Sequence, residues 1–399
     1  MRRRTLLGGA LGAAGAAALG GCRPAAPRGP LSPAAGALLA RAWEGLDPAR
    51  VVDCHVHLVG AGDGGSGCFV NPRMRSLLHP LRWIRYRAFM AAGGVEGEAG
   101  ADRAYLERLT ALASAGERRG RLLVLALDAV HREDGSPDLD ATEFATPDEW
   151  VLAAARRRPD LFLAGISVHP CRRDAVERLE AGAAAGAVLL KWLPNAQRID
   201  PASPRCDALY DRLAALRLPL LVHAGEEQAV VADGAQHLGN PLRLRRPLER
   251  GVSVVVAHCA SLGEFEDLDA PAGARPRVPA FDLFLRLARE AGTGGRLRGD
   301  LSALAHWNRA RHLPALLAAR DLHPRLANGS DYPVPALDAV IHLERLVRLR
   351  VLDAALRAPL RELWERNVFW FDLALKRSLE LGGVRFPPSV FMPDWLRRT

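Results

Sequence analysis

The heptapeptide Val51-Val52-Asp53-Cys54-His55-Val56-His57 decides how the chain is read. Its mostly apolar run marks a strand covered on both faces. Strand side chains alternate, so His55 and His57 share one face with Asp53, while Cys54 and Val56 take the other. Two imidazoles so spaced can hold one metal ion between them. Working outward, apolar runs recur at 122–128, 161–169, 187–193, 219–223 and 252–258, and more weakly at 297–301 and 325–330. Eight such runs with helical stretches between them predict an α/β fold, a (β/α)8 TIM barrel. An open doubly wound sheet is the alternative, but no glycine-rich phosphate loop follows the first run.

Helix boundaries follow from local chemistry. Thr146-Pro147-Asp148-Glu149 supplies an N-cap, a proline at the first helical position and the acid of a capping box. Ser203-Pro204 opens another helix, with Leu209, Leu213 and Leu216 on one face. Further helices are predicted at 281–291, 313–320, 337–349 and 360–375. Two insertions follow strand C-termini, where they could cover a catalytic face. One, 59–120 after strand one, holds a glycine-rich stretch and the run Leu81-Arg82-Trp83-Ile84-Arg85-Tyr86. The other, 261–278 after strand six, is acidic and proline-rich. The barrel is expected over 48–375, with 376–399 as a peripheral tail.

The 399 residues are 49% hydrophobic and 25% charged, which excludes disordered, collagen-like and coiled-coil chains. The net charge is +9, but the basic residues are scattered, so nucleic acid is not an expected partner. All basic side chains except Lys191 and Lys376 are arginine. Residues 1–21 combine Arg2, Arg3 and Arg4 with a short apolar stretch and read as an export signal; Arg3-Arg4 resembles a twin-arginine motif. Leu19-Gly20-Gly21-Cys22 resembles a bacterial lipobox. It implies an exported chain on the periplasmic face, tied to a membrane only through a lipid on Cys22, with 22–47 as tether and first helix. The other cysteines, Cys54, Cys68, Cys171, Cys206 and Cys259, match no disulfide scaffold or zinc ribbon. Cys54 and Cys259 read as buried, outward-facing strand residues.

The chemistry gathers at strand ends. His223 and His258 close the fifth and sixth runs, and Asp331 follows the eighth, in Asn328-Gly329-Ser330-Asp331-Tyr332-Pro333. In a barrel these ends form one mouth. Three imidazoles and a carboxylate form a donor set suited to Zn2+, with Mn2+ or Fe2+ as alternatives. Lys191 closes the fourth run where arginine would be expected, so the position calls for an amine. Trp192, Asn195, Glu226 and His169 are placed for contact with a small-molecule substrate, as is Glu227. Trp83, Arg85 and Tyr86 read as packing of the insertion rather than a lid.

The order HxH, a strand-four lysine, two histidines and a late aspartate resembles the amidohydrolase superfamily. Asn328 to Pro333 resembles the GSD-aromatic-P ending of its amidohydrolase-related branch. Leu190-Lys191-Trp192-Leu193-Pro194 resembles that branch's KLHP-type fourth strand, with Trp192 and Leu193 in place of the usual residues. The resemblance implies a metal-dependent hydrolase of amide, cyclic amide, lactone or ester bonds. His55, His57, His223 and Asp331 would hold the ion. Asp331 would also carry the proton, and His258 would act as base or oxyanion donor. Lys191 would be a free amine beside one ion, the favoured case, or a carbamate bridging two, with His223 and His258 on the second. A decarboxylase on the same site is the first alternative. A non-catalytic, metal- or ligand-binding surface lipoprotein is the second. Assembly into homo-oligomers is compatible with the sequence.

Overall fold

The computed structural model describes residues 29–396 apart from 96, 98 and 233. The export signal, the lipobox and the start of the tether lie outside the described residues. Eight parallel strands form one sheet: β1 (Val52–His57), β2 (Arg121–Leu125), β3 (Phe162–Ile166), β4 (Leu189–Trp192), β5 (Leu220–His223), β6 (Val254–Ala257), β7 (Leu297–Asp300) and β8 (Leu326–Ala327). They are neighbours in chain order, and the sheet closes on itself. The Cys54 amide donates to the Asn328 carbonyl at 2.9 Å, Asp331 to His55 at 2.8 Å, and His57 to Tyr332 at 2.8 Å. The fold is a (β/α)8 barrel. Gly329 permits the closure: a Cβ there would meet the His55 Cβ at 2.9 Å.

Alternation along the strands divides the apolar residues into two layers. Val52, Cys54, Leu123, Leu125, Leu189, Leu221, Val255, Ala257 and Ala327 pack together inside the barrel. Leu122, Val124, Leu190, Trp192, Leu220, Val222, Val254 and Val256 belong to the outer core, against the helices. β1 breaks its own alternation. Its register against β2 shifts between Asp53 and Val56, a bulge that sets one extra residue into the strand. Cys54 therefore packs inside, where the simple period put it outside. Asp53 turns outward beside Asp372 and Lys376, away from the histidines. Cys259 is buried in the turn after β6 rather than on the strand.

Other expectations need correction. Pro147, not Thr146, occupies the N-cap of the helix Asp148–Arg157, and no side chain caps it. The Thr146 hydroxyl instead donates to the Leu58 carbonyl at 2.8 Å, a tertiary bond that outcompetes the local one. The expected helix at 360–375 is two helices, Arg357–Arg366 and Val368–Ser378. Asn367 breaks the run: its side chain accepts from the Phe369 amide and donates to Leu112. Leu337 to Leu349 keeps only the short helix Leu343–Arg348. The helix Ala101–Ser114 follows β1 as a barrel helix, so the true insertion ends near Gly100. The second insertion is a hairpin pairing Glu264–Glu266 with Arg277–Pro279.

The C-terminal segment is not peripheral. Phe386, Val390 and Phe391 are buried, and the Leu396 side chain joins the barrel's interior layer. The amide of Val52 donates to the Phe391 carbonyl at 3.0 Å, and that of Asn328 to Val390 at 2.8 Å. The segment thus stops the end of the barrel opposite the mouth. Nothing in its spacing announced this, because the match is made by tertiary packing. No described helix is long and apolar enough to cross a membrane.

Candidate active site

The C-terminal ends of β1, β4, β5, β6 and β8 bring His55, His57, Lys191, His223, His258 and Asp331 to one cavity. His57 Nε2 lies 3.2 Å, and His55 Nε2 3.6 Å, from Asp331 Oδ1. Donor atoms of these three side chains lie within 4.8 Å of one another. Ligands about 2.1 Å from a tetrahedral ion stand roughly 3.4 Å apart, so these separations suit a shared ion. The His223 Nε2 atom, also on this cavity, is buried and has no hydrogen-bond partner among the described residues. It stands 3.5 Å from Glu227 Oε2. A buried imidazole nitrogen left open on the cavity that holds those three donors suits a metal site.

Behind these groups stands Asp300, at the end of β7. Its Oδ2 lies 2.8 Å from His55 Nδ1, and its Oδ1 accepts from the His258 amide at 2.8 Å. The carboxylate fixes the His55 ring with Nε2 turned to the cavity, the usual support for a ligating histidine. His258 is held likewise: its Nδ1 lies 3.1 Å from the Ser302 carbonyl and 2.7 Å from the Ser302 hydroxyl, leaving Nε2 free. His258 and Asp331 both carry positive φ, 56° and 69°, which for non-glycine residues costs about 1 kcal/mol or more each. The Asp331 amide bond to His55 holds that turn in place.

Charge is arranged around neutral imidazoles. Burial, then the charge of Lys191, lowers His55 to about 4. Burial, with Arg309 next, lowers His223 and His258 well below the usual range. Neutral imidazole is the form that ligates. Burial works to raise Asp331, but the His57 hydrogen bond and the charges of His55 and His57 hold it well below the carboxylate range. Lys191 Nζ lies 3.2 Å from His55 Nε2; burial brings its amine down to about 8, against the pull of Asp300 and Asp331.

Four residues expected at the substrate lie elsewhere. Trp192 follows Lys191 on β4, so alternation sends it outward; it is fully buried, and its Nε1 donates to the Val168 carbonyl at 2.8 Å. His169 has both ring nitrogens engaged by backbone, at the Gln197 carbonyl and the Cys171 amide. Asn195 is enclosed, its amide bound to Gly225 and Gln236. Glu226 does not line the cavity but accepts from Gln228, which does, as does its neighbour Glu227. Sequence reasoning passed over Asp300, Ser302, His306 and Arg309. Asp300 was findable, since it ends the seventh strand as the histidines end theirs. The others sit on a loop whose course no periodicity reveals.

The cavity walls are largely apolar, with Met74, Phe89, Phe144, Leu193, Val230 and Trp307 among them. Arg85 and Tyr86 of the first insertion line it, which gives this run more than a packing role. Arg309 enters from the β7 loop, buried, with its Nη1 3.2 Å from the Ser261 hydroxyl.

No family model matches the chain, and no curated protein matches it. Solved structures do. An uncharacterised TIM-barrel protein from Bordetella bronchiseptica is 15% identical, with 75% of this chain and 98% of that one covered at a TM-score of 0.45. A 5-carboxyvanillate decarboxylase from Novosphingobium aromaticivorans, solved with manganese, is 14% identical over 73% and 89%, at 0.43. An N-isopropylammelide isopropylaminohydrolase from Burkholderia multivorans is 18% identical over 82% and 71%, at 0.38.

Proposed function

We propose that the chain is a metal-dependent hydrolase that cleaves an amide, cyclic amide, lactone or ester bond of a small molecule. The observation that carries this is the convergence of His55, His57 and Asp331 at the barrel mouth, with Asp300 braced behind His55. His55, His57, His223 and Asp331 would hold one divalent ion, with Zn2+ best suited to the donors. A bound ion supplies Lewis acidity, polarising the scissile carbonyl and acidifying water. Asp331, held as a carboxylate, accepts the proton from water and returns it to the leaving group. His258 presents its free Nε2 to the developing oxyanion. Lys191 remains a free amine within reach of His55, and Arg309 receives an anionic part of the substrate.

Metal analysis of the purified chain tests this directly. About one ion per chain is expected, falling in His55→Ala, His57→Ala and His223→Ala; full occupancy in all three would refute the ligand set. Two ions per chain, with one lost in Lys191→Arg, would instead favour a carbamate bridge.

A decarboxylase is the second reading, favoured by the two buried cations, Lys191 and Arg309, in a cavity with largely apolar walls. They suit a substrate that brings its own carboxylate. Label from 18O-water separates the two: it enters the product of a hydrolase, whereas a lyase releases CO2 without taking it up. Export, and a lipid on Cys22, belong to the same proposal. Arg3→Lys with Arg4→Lys should leave the precursor in the cytoplasm, and Cys22→Ala should abolish lipidation.

A further inference from the structure

Among the described residues, four large apolar side chains are exposed: Leu77, Leu78, Leu81 and Leu139, with Leu78 at 88%. Three lead into the helix Pro80–Ala92 of the first insertion. The fourth, Leu139, lies beside the start of this segment, its carbonyl accepting from Asn71 Nδ2 at 3.1 Å. Leu77, Leu78 and Leu81 form one rim, and the same segment walls the catalytic cavity through Met74, Ile84 and Phe89. From Gly64 to Val95 the chain carries Arg73, Arg75, Arg82, Arg85 and Arg87 and no carboxylate. Arg73 and Arg82 face Asp140 and Glu143, at 3.8 Å and 3.4 Å, and the rim stays net positive.

Clustered apolar side chains left in water and ringed by cations mark an interaction surface. We propose that this rim docks on an anionic lipid bilayer, with Leu77, Leu78 and Leu81 seated among the headgroups and the arginines on the phosphates. Charge selects this occupant. A second copy docked by the same face would set one arginine-rich surface against another, with the nearby acids Asp140 and Glu143 already facing Arg73 and Arg82. A lipid on Cys22 would add a second attachment and hold the basic, apolar patch close to the bilayer. Nine residues lie between Cys22 and Ser32, so that tether spans roughly 35 Å at most when extended. The docking does not depend on which reaction the cavity performs.

The test uses the full-length chain in a Cys171→Ser background, reconstituted into vesicles containing phosphatidylglycerol. A fluorophore is placed at Leu78→Cys or, as a remote control, at Glu117→Cys, which is exposed just ahead of β2 at the opposite end of the barrel. Nitroxides carried in the bilayer should quench the label at 78 several-fold more than that at 117. Salt, or purely zwitterionic lipid, should weaken the difference. Adding Leu77→Glu and Leu81→Glu should cut quenching at 78 roughly threefold or more, with thermal melting unchanged because both side chains are exposed. Equal quenching at the two positions would overturn the proposal. So would undiminished quenching in the glutamate variant, or light scattering in which that variant dissolves a dimer while neither position is quenched. None of these measurements uses turnover, so their failure is separate from failure of the proposed reaction.

Discussion

The two ends of the barrel are built from the same eight strands and finished in opposite ways. At the base, backbone bonds from Val52 and Asn328 meet the C-terminal segment, and Phe386, Val390 and Phe391 are buried there. At the mouth, the same strands end in His55, His57, Lys191, His223 and Asp331, with the His223 and His306 Nε2 atoms buried and unpaired. One end is closed by backbone bonds and apolar packing, which adds stability, although Asn328 Oδ1 is buried there without a partner among the described residues. The other leaves polar groups open, which costs stability and makes chemistry available. Substitutions at the two ends should therefore separate activity from folding.

The largest effect is expected at Asp331. Asp331→Asn should lower kcat by about 10³ or more, with little change in melting temperature, because the amide keeps the shape but cannot take a proton. Near-normal turnover in that variant would remove the asymmetry on which the comparison rests. At the base, Phe391→Ala should cost about 3–5 kcal/mol in denaturant unfolding. Its kcat per folded molecule should be unchanged; a matching loss of kcat would mean that the two ends are coupled through β1. Arg309→Met should raise KM for an anionic substrate by roughly tenfold and lower the melting temperature, since it leaves the buried Glu227 and Asp331 without a cation that offsets them. An unchanged KM would place the substrate elsewhere in the cavity.

The smallest effect sharpens the comparison away from both ends. Asp148 is buried, and desolvation pushes its carboxyl up to about 7 from 3.8. The folded chain thus holds a proton there that the unfolded chain loses above pH 4. Stability is full below that value, falls as pH rises to 7, and stays low above it. Asp148→Asn keeps the acceptor for the Ser167 amide and removes the titration. Its melting temperature should equal the parent's at pH 4 and exceed it at pH 8, by an amount worth up to about 4 kcal/mol. A constant difference across that range would show that Asp148 titrates normally.

Much of this was legible in the residues. All eight strands announced themselves as apolar runs, because strands covered on both faces tolerate little else. The rule that strand ends meet at one mouth brought His55, His57, His223, His258, Lys191 and Asp331 to one cavity, and applied once more it would have added Asp300. Asp53 and Cys54 were placed on the wrong faces, since a bulge adds one residue without any compositional mark. Trp192 was misplaced for another reason: alternation, taken strictly from Lys191, sends it outward. Glu226 and His169 lie in loops and Asn195 in the one-turn helix Pro194–Gln197, whose directions are set by contacts with partners far along the chain. The base was hidden for the same reason.

That base has a consequence for how the chain is made. The bond joining Cys54 to Asn328 spans more than two-thirds of the polypeptide, and those that seat Phe391 and Val390 wait for nearly its last residues. During synthesis the ribosome would release β1 long before its neighbour across the seam exists, so that edge stays open until translation is almost finished. A chain ended early by a nonsense codon between 332 and 390 would keep every residue of the proposed metal site and still lack the backbone partners that tie β1 and β8 together below it. Completeness of the message is thereby read out as competence of a site whose last residue, Asp331, is encoded well before its end.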